Sequence, residues 1–339
     1  MKAFILSSYG SPDRFELTET GVPAPADGEV LVRVRATSVN PYDWHHMRGE
    51  PSIVRLMPGT FGLRAPKFAI LGCDMAGQVE AVGEKVTGFR PGDDVYALLV
   101  SGAYAEYISV PEGLLVRKPE NLTYAQAAAV PMAAVTALLA LRDVGSVKPG
   151  QKVLVNGASG GVGTFAVQIA QVLGASVTGV CSTRHVDLIR SLGAEEIIDY
   201  RAADFTRQGQ RYDLVLDIAG SRPARACRRV LTSNGALVLI GGQAGRWVQP
   251  MGHVMSALAA GRFAAQRVAL AEVSGCDKPG LLASVTGLIE DGKVTPVIDR
   301  EYPFGELPAA VRYQEEGHAS GKVVVTVPAG PAGGGPSRR

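Results

Sequence analysis

The sequence predicts an α/β protein in which a doubly wound parallel sheet is joined to a β-rich unit. Three observations predict it. Beyond residue 150, short apolar strands alternate with helices. A glycine-rich turn stands between the first of those strands and its helix. The first 120 or so residues instead alternate apolar and polar side chains at period two.

Taken in order, Glu29 to Ala36 (EVLVRVRA) reads as a strand with one wet face, and Gly77 to Val82 repeats the pattern before a turn at Gly83. Pro91-Gly92 turns into a strand near Val95-Tyr96, and Tyr104 to Val110 supplies another. Antiparallel pairing in a small, partly closed barrel packs such pieces most simply. Ala125 to Leu141 is alanine-rich at helical spacing, with Pro131 kinking or dividing it. Then come strand Lys152 to Asn156, helix Gly161 to Leu173, strand Ser176 to Cys181, helix Arg184 to Leu192, and strands Glu196 to Asp199 and Asp213 to Asp217. A helix at Arg222 to Leu231 and a strand at Ala236 to Ile240 follow. Residues 246–274, mostly apolar, read as one or two helices shaping an apolar pocket or covering a dimer interface. Gly321 to Val327 is a strand, and the Gly- and Pro-rich 328–339 is expected to be a disordered tail.

Composition narrows the function. With 46% hydrophobic and 19% charged residues, a sizeable core is available. A net charge of +2 and basic residues that do not cluster with aromatics exclude a nucleic-acid platform. Residues 153–183 lack Asp, Glu, Lys and Arg, but Asn156, Ser159, Gln168, Gln171 and several glycines break them into pieces too short to span a membrane. The four scattered cysteines form no CxxC pair, so neither a zinc knuckle nor a disulfide framework is indicated. A short apolar run at the N-terminus does not read as a signal peptide, and a cytoplasmic setting is expected.

The segment Asn156-Gly157-Ala158-Ser159-Gly160-Gly161-Val162-Gly163 carries the most chemistry. After a strand and before a helix, such a turn offers free N–H groups and a positive dipole end to a pyrophosphate. Gly160 permits close backbone approach and Gly163 close packing of helix on strand, while Ala158 stands where the usual fingerprint has its first Gly. At the end of the second strand, where NAD enzymes place a carboxylate, this chain has Cys181-Ser182-Thr183-Arg184. Hydroxyls and a guanidinium suit a 2′-phosphate, so NADP(H) is the expected cofactor.

Apart from the tail, the chain resembles the medium-chain dehydrogenase/reductase superfamily, and within it the zinc-free quinone oxidoreductase branch. The matching stretches are Ser38 to Asp43, Gly72 to Gly77, Phe89 to Asp93, Gly102 to Tyr107, Ala128 to Pro131, Asn156 to Gly163, Asp199-Tyr200 and Gly321 to Val324. The resemblance implies a GroES-like catalytic domain (1–124, completed by 297–327) around a Rossmann domain (125–296), with the active site in the cleft. Zinc enzymes of the superfamily carry Cys at the position of Asn40, Gly-His-Glu at Gly72-Cys73-Asp74 and a ligand near Val130. Asn and Val do not ligate Zn²⁺ in ordinary sites, so no metal is expected. His45 and His46, adjacent on a strand, would face opposite ways.

The resemblance also implies site roles. Asn40 would lie beside the nicotinamide and donate to its carboxamide or to substrate, unless it is only a turn residue before Pro41. Tyr42 would wall the pocket or give a proton. Thr136, Gly241 and Gly242 would approach the cofactor. Ser182, Thr183, Arg184 and Tyr200 would surround the 2′-phosphate. Lys322 would reach the phosphates, its alternative being an ordinary edge-strand lysine. The expected reaction is hydride transfer from NADPH to a small apolar quinone or an activated C=C bond of an enone, without zinc, by a homodimer. The alternatives are an NADP(H)-dependent alcohol or carbonyl dehydrogenase and a catalytically silent NADPH-binding protein.

Overall fold

The computed structural model describes residues 1–52, 55, 61–241, 266–317 and 319–328. Three sheets organise them. Strands β1 (Lys2–Leu6) and β2 (Phe15–Glu19) form an antiparallel pair. The second sheet holds β3 (Glu29–Val39), β4 (Asp74–Val82), β5 (Asp94–Leu98), β6 (Tyr107–Pro111), β7 (Val116–Arg117), β14 (Ile298–Pro303) and β15 (Lys322–Thr326). Its order is β14-β15-β3-β4-β5-β7, with β6 also on β3. The alternating pattern of β3 explains its central place: Val30, Val32 and Val34 are buried and Arg33 and Arg35 only half so.

The third sheet is wholly parallel among its described pairings. It contains β8 (Lys152–Asn156), β9 (Ser176–Cys181), β10 (Glu196–Asp199), β11 (Tyr212–Asp217), β12 (Leu231–Leu239) and β13 (Arg267–Leu270), in the order β10-β9-β8-β11-β12-β13. In sequence order within the sheet this is 3-2-1-4-5-6, the doubly wound dinucleotide-binding arrangement, whose switch point lies between β8 and β11. Central strands buried on both faces are apolar throughout, as in Val153-Leu154-Val155.

Helix α1 spans Pro41–Arg48, α2 Tyr124–Ala128 and α3 Pro131–Leu138, followed by a π-helical turn over Leu139–Val144. Pro131 divides the alanine-rich segment, because a proline at the first helical position tolerates its missing N–H there but not one turn further in. Helices α4 (Gly161–Val172), α5 (Val186–Ser191), α6 (Ala224–Arg229), α7 (Lys278–Glu290) and α8 (Leu307–Glu315) complete the described elements. One apolar core runs through both large sheets, bringing Ala36, Cys73 and Tyr96 against residues of α3, α4 and α7. Across this junction Tyr96 shares a hydrogen bond with Thr286 at 2.6 Å.

Two expectations change. Residues 246–265 lie outside the described residues, but Arg267–Leu270, expected as helix, is the sixth parallel strand. Its Arg-Val-Ala-Leu is too short for periodicity to separate strand from buried helix. His45 and His46 sit on α1 rather than on a strand, with Asn40 as N-cap and Pro41 at the first turn. The tail 329–339 also lies outside the described residues. No described helix is long and apolar enough to cross a membrane.

Candidate active site

The glycine turn folds as its residues dictate. The left-handed residue is Gly157, at φ 95°, not Ala158. Ala158 therefore needs no glycine conformation, and its methyl group packs beneath β9 beside Gly179. The N–H groups of Gly157 and Ala158 donate to Val180 O, tying the turn to β9. A β-carbon at Gly163 would stand 2.1 Å from Gly157 O, so only glycine lets α4 approach β8 this closely. At Gly160 the nearest such atom is 3.7 Å away. That open space at the N-cap of α4, flanked by partly exposed Ser159, Gly161 and Val162, fits an approaching pyrophosphate.

The switch point is braced beside this turn. Asn156 and Asp217 end β8 and β11 in register, and Asn156 Nδ2 donates to Asp217 Oδ1 at 2.7 Å and to Ser221 Oγ at 3.1 Å. Gly241 follows β12 at the same edge, where a β-carbon would come within 2.9 Å of Ile218 O. Gly242 lies outside the described residues. Thr136 is buried on α3 and donates its hydroxyl to Met132 O at 2.6 Å.

At the end of β9, Ser182 is buried and shares a hydrogen bond with His185 Nδ1 at 3.2 Å, while His185 Nε2 meets Ser320 Oγ. Thr183, Arg184 and Tyr200 are exposed. A carboxylate reaches this corner from the end of β10 instead. Thr183 Oγ1 donates to Asp199 Oδ2 at 2.5 Å, and the Arg201 N–H donates to Asp199 Oδ1 at 2.9 Å. These bonds, the Thr183 hydroxyl first, hold the Asp199 carboxyl below its ordinary range. Arg201 was missed because it lies beyond β10, but it and Arg184 both bear electrostatically on His185, whose pKa is lowered first by burial and then by Arg184. Both guanidiniums are therefore within electrostatic reach of His185.

The other wall grows from the β3–α1 junction. Asn40 caps α1, and its N–H donates to Asp43 Oδ2 at 2.8 Å. Its side chain is enclosed at 3% exposure: Nδ2 donates to Asp74 Oδ2 at 2.9 Å and to Cys73 Sγ at 3.3 Å. Both amide hydrogens are thus engaged within the protein. This corrects the expectation that Asn40 donates to carboxamide or substrate. Asp74 also accepts from Ser38 Oγ at 2.6 Å and the Met132 N–H at 2.8 Å.

Lys322 is the second correction. Val323 pairs with Val39 across β15 and β3, which places Lys322 beside Asn40. Its Nζ donates to Asn40 Oδ1 and, at 3.0 Å, to Asp74 Oδ2. With 3% of the residue exposed, the ammonium is a buried partner of these side chains, where the sequence reading had it reach the phosphates.

Around this network lie groups whose titration burial has moved. Asp43, fully enclosed, is raised to about 7, chiefly by burial and despite the Asn40 N–H. The Cys73 thiol and Tyr104 phenol are pushed well above their ordinary values, burial first and Asp43 second. Tyr42, half-buried, is also raised by burial and then by Cys73, so its phenol remains a proton-bearing donor at neutral pH. Tyr42 O accepts from His46 Nδ1 at 2.9 Å, and the His46 ring lies between those of Tyr42 (4.1 Å) and Phe61 (4.2 Å). His45 is half-buried, stacked on Trp44 at 3.8 Å and lowered by burial to about 4.

These side chains do not suit Zn²⁺. Tetrahedral sites require three protein donors of the Cys, His or carboxylate type. Here the Asn40 amide is already bonded on both ends, Val130 offers no donor atom, and Asp74 is held by three side chains and a backbone N–H. Among the described residues no group of three or more His, Cys, Asp or Glu could hold a metal.

A 3-2-1-4-5-6 parallel sheet with an open glycine turn at its switch point, facing a β-rich unit across a polar junction, defines a dinucleotide-dependent oxidoreductase. The chain belongs to the medium-chain dehydrogenase/reductase superfamily. Residues 26–120 match the alcohol dehydrogenase GroES-like domain and residues 192–325 the zinc-binding dehydrogenase family. The chain is 34% identical to a chloroplast envelope quinone oxidoreductase homolog of Arabidopsis thaliana, over 96% of this chain and 98% of that one. It is also 34% identical to an NADPH-dependent alkenal/one oxidoreductase of Arabidopsis thaliana, over 96% and 79% respectively. The solved quinone oxidoreductase of Coxiella burnetii superposes with a TM-score of 0.81 at 27% identity, covering 97% of this chain and 99% of that one.

Proposed function

We propose that the protein is an NADPH-dependent reductase of quinones or of the activated C=C bond of enones, and that it works without zinc. The observation that carries this reading is the saturated Asn40–Asp74–Lys322 junction, which has no donor set for a Lewis-acid metal. Without such a metal, acceptors already electrophilic at carbon are favoured over unactivated alcohols and ketones. The names of the two plant relatives, one a quinone oxidoreductase homolog and one an alkenal/one oxidoreductase, support the same substrate class.

The bound nucleotide would supply a hydride to the electrophilic carbon. The chain's own contributions are separable. The turn at Ser159–Gly163 receives the pyrophosphate at the N-terminus of α4. Arg184 and Arg201, with Ser182, Thr183 and Tyr200, form the corner that would hold the 2′-phosphate, giving preference for NADPH. Thr136 and Gly241 line the approach to the nicotinamide half. Tyr42 keeps its proton and donates to the carbonyl oxygen on which negative charge builds. The same reading assigns 1–124 with 297–327 to the catalytic domain and 125–296 to the nucleotide domain.

Stopped-flow oxidation of NADPH by a quinone, an enone and a saturated ketone, with an alcohol plus NADP⁺ as the reverse test, decides among the readings. Turnover with the quinone or enone alone is expected. Turnover with only the alcohol or saturated ketone would establish the dehydrogenase alternative, and tight NADPH binding with no turnover the silent one.

A further inference from the structure

Gly321 and Lys322 stand where the two large sheets meet. The Gly321 N–H donates to Ser159 O at 2.9 Å, and Gly160 and Gly321 form a parallel bridge. One residue on, the stem of Lys322 runs against the turn itself, since a β-carbon at Gly161 would lie 2.9 Å from Lys322 Cδ. The ammonium at its end bonds Asn40, the N-cap of α1, and Asp74. A single lysine therefore touches the phosphate-binding turn with its methylenes and the substrate-side helix with its charge.

We infer that Lys322 is a positioning residue whose ammonium is the built-in cation of this site, locking the Asn40 carboxamide and coupling the dinucleotide turn to the α1 wall that carries Tyr42. The argument is one of donors and acceptors. Asn40 Oδ1 accepts from Lys322, which forces Nδ2 toward Asp74 and Cys73. Without Lys322 the amide loses the bond that fixes its orientation, and Asp74 loses the charge that balances it. The first residue of α1 follows Asn40 directly, and Tyr42 is the second, so reorienting the cap moves the phenol. A shift of the turn on binding nucleotide passes along Gly321 and Lys322 to the same cap.

The inference rests on the reductase reading, and two readouts keep their failures apart: turnover of NADPH with an enone, and the emission of Trp44 on adding NADP⁺ in a Trp247→Phe background, which leaves Trp44 as the single tryptophan. In that background NADP⁺ is expected to shift the emission of α1. Lys322→Met should keep NADP⁺ affinity within about threefold, lose most of the shift, and lower kcat at least about tenfold. Lys322→Arg, which restores the charge, should regain at least half of both. Should Lys322→Met fail to fold, Lys322→Gln keeps an N–H donor for Asn40 without the charge, and is expected to show the same split in milder form. A loss of NADP⁺ affinity of about tenfold or more with kcat unchanged at saturation would return Lys322 to the phosphates and overturn the inference. An unchanged emission shift and unchanged kcat would overturn it too. A parent protein that binds NADP⁺ and shifts Trp44 but reduces no acceptor would sink the reductase reading and leave the coupling to be judged on emission alone.

Discussion

Asparagine at position 43 is the most informative single change, because it mimics the protonated acid in size and shape. Asp43 is 2% exposed and its carboxyl is raised to about 7 by burial, against about 3.9 in an unfolded chain. Between those values the folded protein holds a proton that the unfolded chain has released. The stability it contributes is present below about pH 4 and is lost as pH rises toward 7, because the slope is negative wherever the native state binds more protons. At 1.36 kcal/mol per unit the full cost above pH 7 is about 4 kcal/mol, and the nearby Asp74 and Lys322 charges make about 2–4 kcal/mol the working range. Asp43→Asn retains an oxygen to accept the Asn40 N–H, so it should be about 2–4 kcal/mol more stable than the parent at pH 8, about 1–1.5 kcal/mol at pH 5 and nearly equal only below about pH 4. His45 works in the opposite sense. Lowered to about 4 against about 6.5 unfolded, it contributes stability that is lost as pH falls through that window, so the parent profile is flattened and the variant should fall more steeply on the acid side. Urea midpoints and slopes at pH 5, 6.5 and 8 measure this. An equal difference between the two proteins at every pH would refute the reasoning.

The glycine turn and the nucleotide corner give further tests. Gly163→Ala forces a methyl group onto Gly157 O and should unfold or strongly destabilise the protein, whereas Gly160→Ala should fold within about 1 kcal/mol of the parent yet weaken NADPH binding at least about tenfold, as calorimetry would show. Arg184→Ala and Arg201→Ala should each weaken NADPH binding about tenfold, a charge-assisted hydrogen bond's worth, with NADH binding changed far less; equal losses for both nucleotides would place the 2′-phosphate elsewhere. Tyr42→Phe should lower kcat about tenfold while leaving the Kd for NADPH unchanged, and an unchanged kcat would remove Tyr42 from the reaction.

How much of this was legible in the sequence differs by element. Strands β8, β9 and β10 have the bounds the sequence predicts, and at the centre of β8 burial on both faces leaves Val153-Leu154-Val155 no polar option. Pro131 marked the break between α2 and α3 because its missing N–H fits only the first turn of a helix. Helix α1 carried its own start signal, Asn40 followed by Pro41, but its His45-His46-Met47-Arg48 run, with Met47 the single apolar residue, gave no clear apolar face to recognise. The Lys322–Asn40–Asp74 junction joins residues 282 and 248 positions apart, and only the β15–β3 register brings them together. Nothing in the local sequence of any of the three signals that contact. Asn40 and Lys322 were thus singled out as site residues, but their partners, and hence their roles, are properties of the packed sheets. Arg201 was overlooked and Asp199 was named only within a matching stretch, because the fingerprint directs attention to the end of β9, while their contribution arrives from the end of β10.

A single-turnover reaction tests the central claim most directly: chelator-treated protein loaded with NADPH deuterated at the transferable position, mixed with an enone, and the product examined by mass spectrometry and NMR. The account predicts one deuterium on the former β-carbon, delivered at the rate seen before chelation. A product without that label, or turnover abolished by removing a stoichiometric metal, would contradict it.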